Sequence, residues 1–322
     1  MKPTLKCLLF LSLSLGAART CLSQDSLVIG SFDFQRSGQI SIAEGGYFQQ
    51  FRALLNANFS NVVFRSLDTL TSSNLACVGV LVLAPGTTHT TAAMPLSTNE
   101  QAALRDYVLH GGGGVILADN YSYAATATDE ETALLSPFGL AGCCTLSGQV
   151  LATVQDPTSH PVTSGSFGTI SSFGQYYPGG LTALGPYAVG LATNPLGVAL
   201  AVINGDAMAI GSGRVAIYSD GNTFADDEDF GGITANQTLL LNTVAWCRPG
   251  SRRPALAIAH GGSSVVLRWP ATALGFQLEA AASLGPAAVW APVEGGVTVL
   301  GSDNVVTNAL GAAGQFYRLA CP

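Results

Sequence analysis

Between residues 26 and 118 short apolar runs alternate with segments in which apolar positions recur every three to four residues. Ser26 to Asp33, Asn61 to Leu67 and Cys77 to Leu83 read as strands, the last of them apolar throughout. Between the first two, Gly46 to Ala57 places Tyr47, Phe48, Phe51, Leu54 and Leu55 at helical spacing. A second helix begins after Ser97, where Glu100 three residues on completes a capping-box pattern. Its apolar face is Ala103, Leu104, Tyr107 and Val108, and it stops at the glycines 111–114. A strand, Val115 to Ala118, follows and ends in Asp119-Asn120. Strand, helix and strand in alternation predict a parallel sheet with right-handed crossovers.

The pattern then changes twice. A helix is predicted over Asp129 to Leu140, after which residues 148–218 are dominated by strand signals. These are Gln149–Val154, Thr169–Tyr177, Ala188–Ala192, Val198–Ile203 and Arg214–Tyr218, the last leading into Ser219-Asp220-Gly221-Asn222. Thr234 to Trp246 predicts a helix that turns Leu239, Leu240, Thr243, Val244 and Trp246 inward. Residues 248–254, with two prolines and three arginines, form a linker. Beyond it come six short alternating runs separated by Gly, Pro and Asn turns, the signature of a small β-sandwich. The expected organisation is a leader at 1–24, an α/β domain at 25–247, the linker at 248–254 and the sandwich at 255–322.

Charge bears on compartment and partners. Lys2 and Lys6 flank a short apolar run, Cys7 to Leu15, followed by small residues, which reads as a secretory signal peptide. With that segment removed, the 13 Lys and Arg less Lys2, Lys6 and Arg19 leave 10 against 20 Asp and Glu, a net charge of −10. Such a surface repels phosphate backbones, so nucleic acid is excluded as a partner. No later apolar run is long enough to predict a membrane span. Export would permit disulfides. The neighbours Cys143 and Cys144 do not easily bond to each other, but either could bridge to Cys77 or Cys247, and no zinc spacing is present.

Candidate chemistry gathers at strand ends, where ligands sit in open α/β sheets. Asp119 and Asn120 at one end, with Tyr121 beside them, and Asp220 and Asn222 at another, are candidate ligand-binding residues. Paired carboxylates there could act as general acid and base, and Asp residues in such places equally cap the next helix. The acidic stretch Asp226-Asp227-Glu228-Asp229 offers hard oxygen ligands, and calcium on Asp226, Asp227 and Asp229 is the one cofactor it suggests. No organic cofactor motif is found: there is no phosphate-binding glycine loop and no nucleophile elbow.

Taken together, the Leu81-Val-Leu-Ala-Pro85 strand, "LSTNEQAALRDYVLHGGGGVILAD", His160-Pro161-Val-Thr-Ser-Gly165, "GRVAIYSDGNTF" and "NQTLLLNTVAW" resemble class I glutamine amidotransferase-like domains. The resemblance lies with their trehalose-utilisation-protein-like, non-amidotransferase branch and implies a flavodoxin-like, mostly parallel sheet. It also implies that His160 lies near the crevice, where it would assist proton transfer. The strand that carries the family's nucleophile ends here in Asp119-Asn120, so glutamine hydrolysis is not expected. Farther on, "VVLRWPA", "GFQLEAAASL", "VWAPV" and "FYRL" resemble the small Ig- or fibronectin III-like sandwich modules that end many secreted bacterial proteins. The expected function is a secreted non-catalytic module binding a carbohydrate or an extracellular protein. Two alternatives stand beside it: a glycan hydrolase using Asp119, Asp220 and His160, and a structural or adhesive surface protein.

Overall fold

Apolar continuity builds the sheet. Strands β1 (Leu27–Phe32), β2 (Val62–Leu67), β3 (Val80–Leu83) and β4 (Gly113–Leu117) run parallel in the order β2-β1-β3-β4. Every residue of β3 and β4 is buried, as expected of strands covered on both faces. The structure, a computed structural model, describes residues 26–84, 95–118, 127–226, 234–248, 254–261, 263–271, 273, 276–285, 288–293, 295–309 and 314–320.

The crossovers carry α1 (Phe34–Ser37) and α2 (Gln49–Asn58) after β1, α3 (Ser72–Leu75) after β2, and α4 (Thr98–Leu109) after β3. The predicted capping box is present: Ser97 Oγ accepts from Glu100 N–H while Glu100 Oε2 accepts from Ser97 N–H. Gly111 ends the turn after α4 at φ +93°, and a Cβ on Gly113 would stand 1.9 Å from the Cys247 carbonyl oxygen. The glycine block therefore stops one helix and lets another lie directly on the strand.

After β4 come α5 (Ala127–Leu135), which gives way to a 3-10 turn at Ser136–Phe138 containing Pro137, and a series of strands. These are β5 (Ala141–Cys143), β6 (Gln149–Val154), β7 (Ser164–Gly165), β8 (Gly168–Thr169), β9 (Ser172–Tyr176), β10 (Gly180–Ala183), β11 (Ala188–Asn194), β12 (Gly197–Ile203) and β13 (Val215–Tyr218). Strand β13 pairs parallel with β4 and completes the order β2-β1-β3-β4-β13, the flavodoxin-like arrangement. From β13 the same eleven-stranded sheet continues antiparallel through β12, β11, β6 and β9, with β10 and β5 branching from β12. The sheet is thus mixed.

The closing helix α6 (Thr234–Cys247) and α2 cover one face, where Phe48, Phe51, Leu239 and Val244 share a core with β1 and β3. Helices α4 and α5 cover the other through Leu104, Val108, Leu134 and Leu135. Residues 257–320 form two further antiparallel sheets. One contains β14 (Ala257–Gly261), β15 (Ser264–Pro270), β19 (Asp303–Ala309) and β18 (Thr298–Leu300); the other contains β17 (Ala291–Pro292), β16 (Gln277–Ala281) and β20 (Phe316–Ala320). Val265, Leu267, Trp269 and Val306 from the first meet Leu278 from the second in a common core, the packing of a sandwich. No described helix is long and apolar enough to cross a membrane.

Candidate functional site

The carboxyl edge of the parallel strands carries the polar chemistry, as the strand order requires. At the end of β13, Asp220 is buried and its carboxylate is taken up by main chain. Oδ1 accepts from Asn222 N–H at 2.8 Å and Oδ2 from Tyr176 N–H at 2.9 Å, with Thr223 Oγ1 at 3.2 Å. It caps the 3-10 turn Gly221–Phe224, and the Asn222 side chain returns to the Tyr176 carbonyl at 3.3 Å. Of the two roles open to Asp220, capping is the one its bonds express.

His160 is elsewhere, and the expectation of a shared crevice is corrected. Its Nδ1 accepts from Val162 N–H at 3.2 Å, which leaves Nε2 to donate to Asn204 Oδ1 at 3.1 Å. The ring packs edge-on against Trp246 at 4.8 Å, and Arg214 lies nearby. Asn204 directly follows Ile203, which pairs with Val215 at the start of β13, whereas Asp220 follows its end. The two groups stand on opposite edges of the sheet, about 13 Å of strand apart. Burial, aided by the Arg214 charge, lowers the imidazole pKa against the Asn204 bond, so His160 is a neutral packing residue.

Asp226, a candidate calcium ligand, accepts instead from Gln49 N–H at 2.7 Å and Gln50 N–H at 3.0 Å, capping α2 from a distant part of the chain. Asp119, Asn120, Tyr121, Asp227 and Asp229 lie outside the described residues. Asn236 of α6 is buried and clamps Gly174 and Thr223 through three bonds.

Sequence reasoning missed the most heavily bonded polar group on this edge. Arg36 of α1 and Glu100 of α4 form a buried ion pair, with Arg36 Nη1 donating to Glu100 Oε1 and Nη2 to Oε2 at 3.2 Å. Thr69 Oγ1 and Leu70 N–H also donate to Oε1, Ser97 donates to Oε2, and the guanidinium lies 3.9 Å over the Phe32 ring. Burial alone would raise the Glu100 pKa, but the bond from Arg36, those from Ser97 and Leu70, and the Arg36 charge bring it to about 2. The capping-box glutamate therefore also ties β1, the turn after β2 and α4 together.

Beside this pair lies a cleft of about 410 Å³ at the ends of β1 and β2, lined by Asp33, Phe34, Glu44, Arg65, Asp68 and Asn74. Asp33 uses Oδ1 on Arg36 N–H, Asp68 uses Oδ1 on the Asn74 amide, and Glu44 accepts from Phe34 N–H and Ser66 Oγ. Among the described residues Arg65, Asp33 Oδ2 and Asp68 Oδ2 make no hydrogen bond or ion pair, and Phe34 is 44% exposed. No three His, Cys, Asp or Glu residues among those described gather as a metal site.

The proposed bridges from Cys143 or Cys144 do not form. Both are free, as is Cys247, while Cys77 is disulfide-bonded.

No protein-family model matches the chain, and no curated protein matches it in sequence. Solved structures do. The N-terminal domain of mmIFT52 is similar over 71% of this chain and 99% of its own, at 14% identity and a TM-score of 0.50. A ThuA-like protein from Parabacteroides merdae covers 71% of this chain and 92% of its own at 13% identity and a TM-score of 0.40. A glutamine amidotransferase from Methylobacillus flagellatus covers 72% and 99% at 13% identity and a TM-score of 0.42. At 14% identity the likeness to the mmIFT52 domain concerns the fold alone.

Proposed function

We propose that the chain is a secreted, non-catalytic binding module on an amidotransferase-like scaffold, joined to an Ig- or fibronectin III-like sandwich. Its ligand is a carbohydrate held in the cleft at the ends of β1 and β2. The observation that carries this reading is the set of uncommitted groups there: the Arg65 guanidinium, one oxygen each of Asp33 and Asp68, and the exposed Phe34 ring. Sugar hydroxyls both donate and accept, so they match a wall that mixes carboxylate and guanidinium, and an aromatic face takes the apolar side of a pyranose. A hydrolase at Asp220 and His160 has no comparable support, because the two groups stand on opposite edges. Export is supported by the basic and apolar leader and by the disulfide at Cys77.

Thermal unfolding of the full chain against a panel of sugars tests the reading, with calcium and chelator arms. A bound sugar at a hundredfold excess over its dissociation constant stabilises the fold by about 2.7 kcal/mol. The shift should vanish in Phe34→Ala and Arg65→Ala and survive in Asp119→Ala. Loss in Asp119→Ala alone would move the site to the end of β4. No shift with any sugar would sink the carbohydrate reading and leave a protein partner. A shift with calcium that the chelator reverses and that is lost in Asp227→Asn would assign the acidic stretch that includes Asp226, Asp227 and Asp229.

A further inference from the structure

The four described cysteines divide sharply by environment. Cys77 is disulfide-bonded, and Cys247 is buried with its thiol donating to the Gly114 carbonyl at 3.2 Å, its pKa pushed up to about 12 mainly by burial. Cys143 and Cys144 are free and reachable, the first half-buried at the end of β5 and the second exposed. Cys144 holds φ +63°, a left-handed conformation that a residue with a Cβ rarely adopts. The adjacent Cys144 thiol, burial and the Glu131 carboxylate push the Cys143 thiol up to about 11. The pair sits in a built position. Both peptide carbonyls lie 3.2 Å from where a Cβ would stand on Gly179, and Cys143 pairs with Gly180. Residues 176–179 in turn hold Asp220 and Ser219, since Tyr176 N–H donates to Asp220 and Gly179 N–H to Ser219 at 2.8 Å.

We propose that Cys143 and Cys144 are a redox-active dithiol that closes reversibly to a vicinal disulfide by exchange with an external disulfide. The exposed Cys144 thiolate attacks one sulfur of that disulfide, breaking its S–S bond and releasing one half as a thiolate. Cys143 then gives up its proton, and its sulfur attacks Cys144 Sγ. The internal S–S bond forms, the mixed S–S bond breaks, and the second half leaves. The external disulfide has gained two electrons and two protons, and the pair has lost them. Adjacent Cα atoms are held about 3.8 Å apart by a trans peptide, closer than the roughly 4.4–6.8 Å of ordinary disulfides. The ring is therefore strained and easily reduced, which marks a switch and not a staple. Closing it bends the backbone that packs on Gly179, next to the bonds that fix Asp220.

The test exposes the full-length chain to oxidised glutathione, then denatures and alkylates it and maps its peptides by mass. The peptide holding both cysteines should be two hydrogens lighter and carry no alkyl group. Low dithiothreitol should restore two alkylation sites there before the Cys77 disulfide opens. In Cys143→Ser, which lacks the resolving thiol, Cys144 should accumulate one glutathione adduct, with an unchanged circular dichroism spectrum as the control for folding. A wild-type peptide that stays fully alkylatable, or that keeps a stable glutathione adduct, would overturn the proposal. Opening of the Cys77 disulfide first would overturn its reversible character.

Discussion

The α/β region and the sandwich each contain an arginine–glutamate pair, and the two differ in almost every respect except chemistry. Arg36 and Glu100 have side chains 8% and 9% exposed and share their bonds with Thr69, Leu70 and Ser97. Arg318 and Glu279, across β20 and β16, are 47% and 18% exposed, meet at 2.7 Å, and lean on Trp290. Water screens and hydrates the second pair, so forming it changes little. The first is cut off from water, and either partner left alone would be a stranded charge. Around them the cores differ the same way. Strands β3 and β4 at the centre of the α/β sheet are buried throughout, whereas the small core of the sandwich, around Leu267, Trp269 and Leu278, leaves Val299 and Leu300 of β18 more than half exposed. An ion pair takes its value from the packing around it.

The largest test removes one charge from the buried pair. Glu100→Gln keeps the shape but strands Arg36, and denaturant unfolding should show a loss of about 3–5 kcal/mol. A loss below about 1 kcal/mol would erase the distinction between the two regions. Acid sharpens the same point. The folded Glu100 pKa of about 2 lies below the ordinary 4.5, so its stabilisation is complete above pH 4.5 and is lost as pH falls toward 2. Acid titrations of wild type and Glu100→Gln should therefore converge over that window, and parallel curves would show the pair to be inert. Next in size is Asp226→Ala, which uncaps α2 and should cost about 1 kcal/mol. The smallest effect belongs to Arg318→Ala, at most about 1 kcal/mol by the same measurement.

Legibility followed the range over which each signal acts. β3, β4 and α6 were readable because continuous apolar runs and helical spacing are local, and the capping box at Ser97 and Glu100 is contained in four residues. Strand β19 escaped notice because its sequence, DNVVTNA, is interrupted by Asp and Asn, which are poor strand formers, and only its partners β15 and β18 hold it. The ion pair was invisible for a different reason: its members are 64 residues apart, and nothing near Arg36 announces a partner. The available hint was an arginine just past a strand end in a chain with few cations. His160 was assigned to the wrong edge because the His-Pro motif specifies local backbone only. The antiparallel half of the sheet reverses direction, so the residue after β12 arrives at the amino edge of the parallel strands.

That reversal also sets an order in time. Strands β11 and β12 turn on each other between Asn194 and Gly197, and β6 meets β9 across a short excursion, so these pairings close small loops. Strand β13 must find β4 across roughly a hundred residues, at a much greater entropic cost of closure. The meander can therefore assemble as soon as it leaves the ribosome, while the parallel half waits for its fifth strand. Only when α6 then settles on Gly113 is the face over β4 covered. A chain cut short before residue 234 would carry all the strands of this sheet but leave the apolar face under α6 bare.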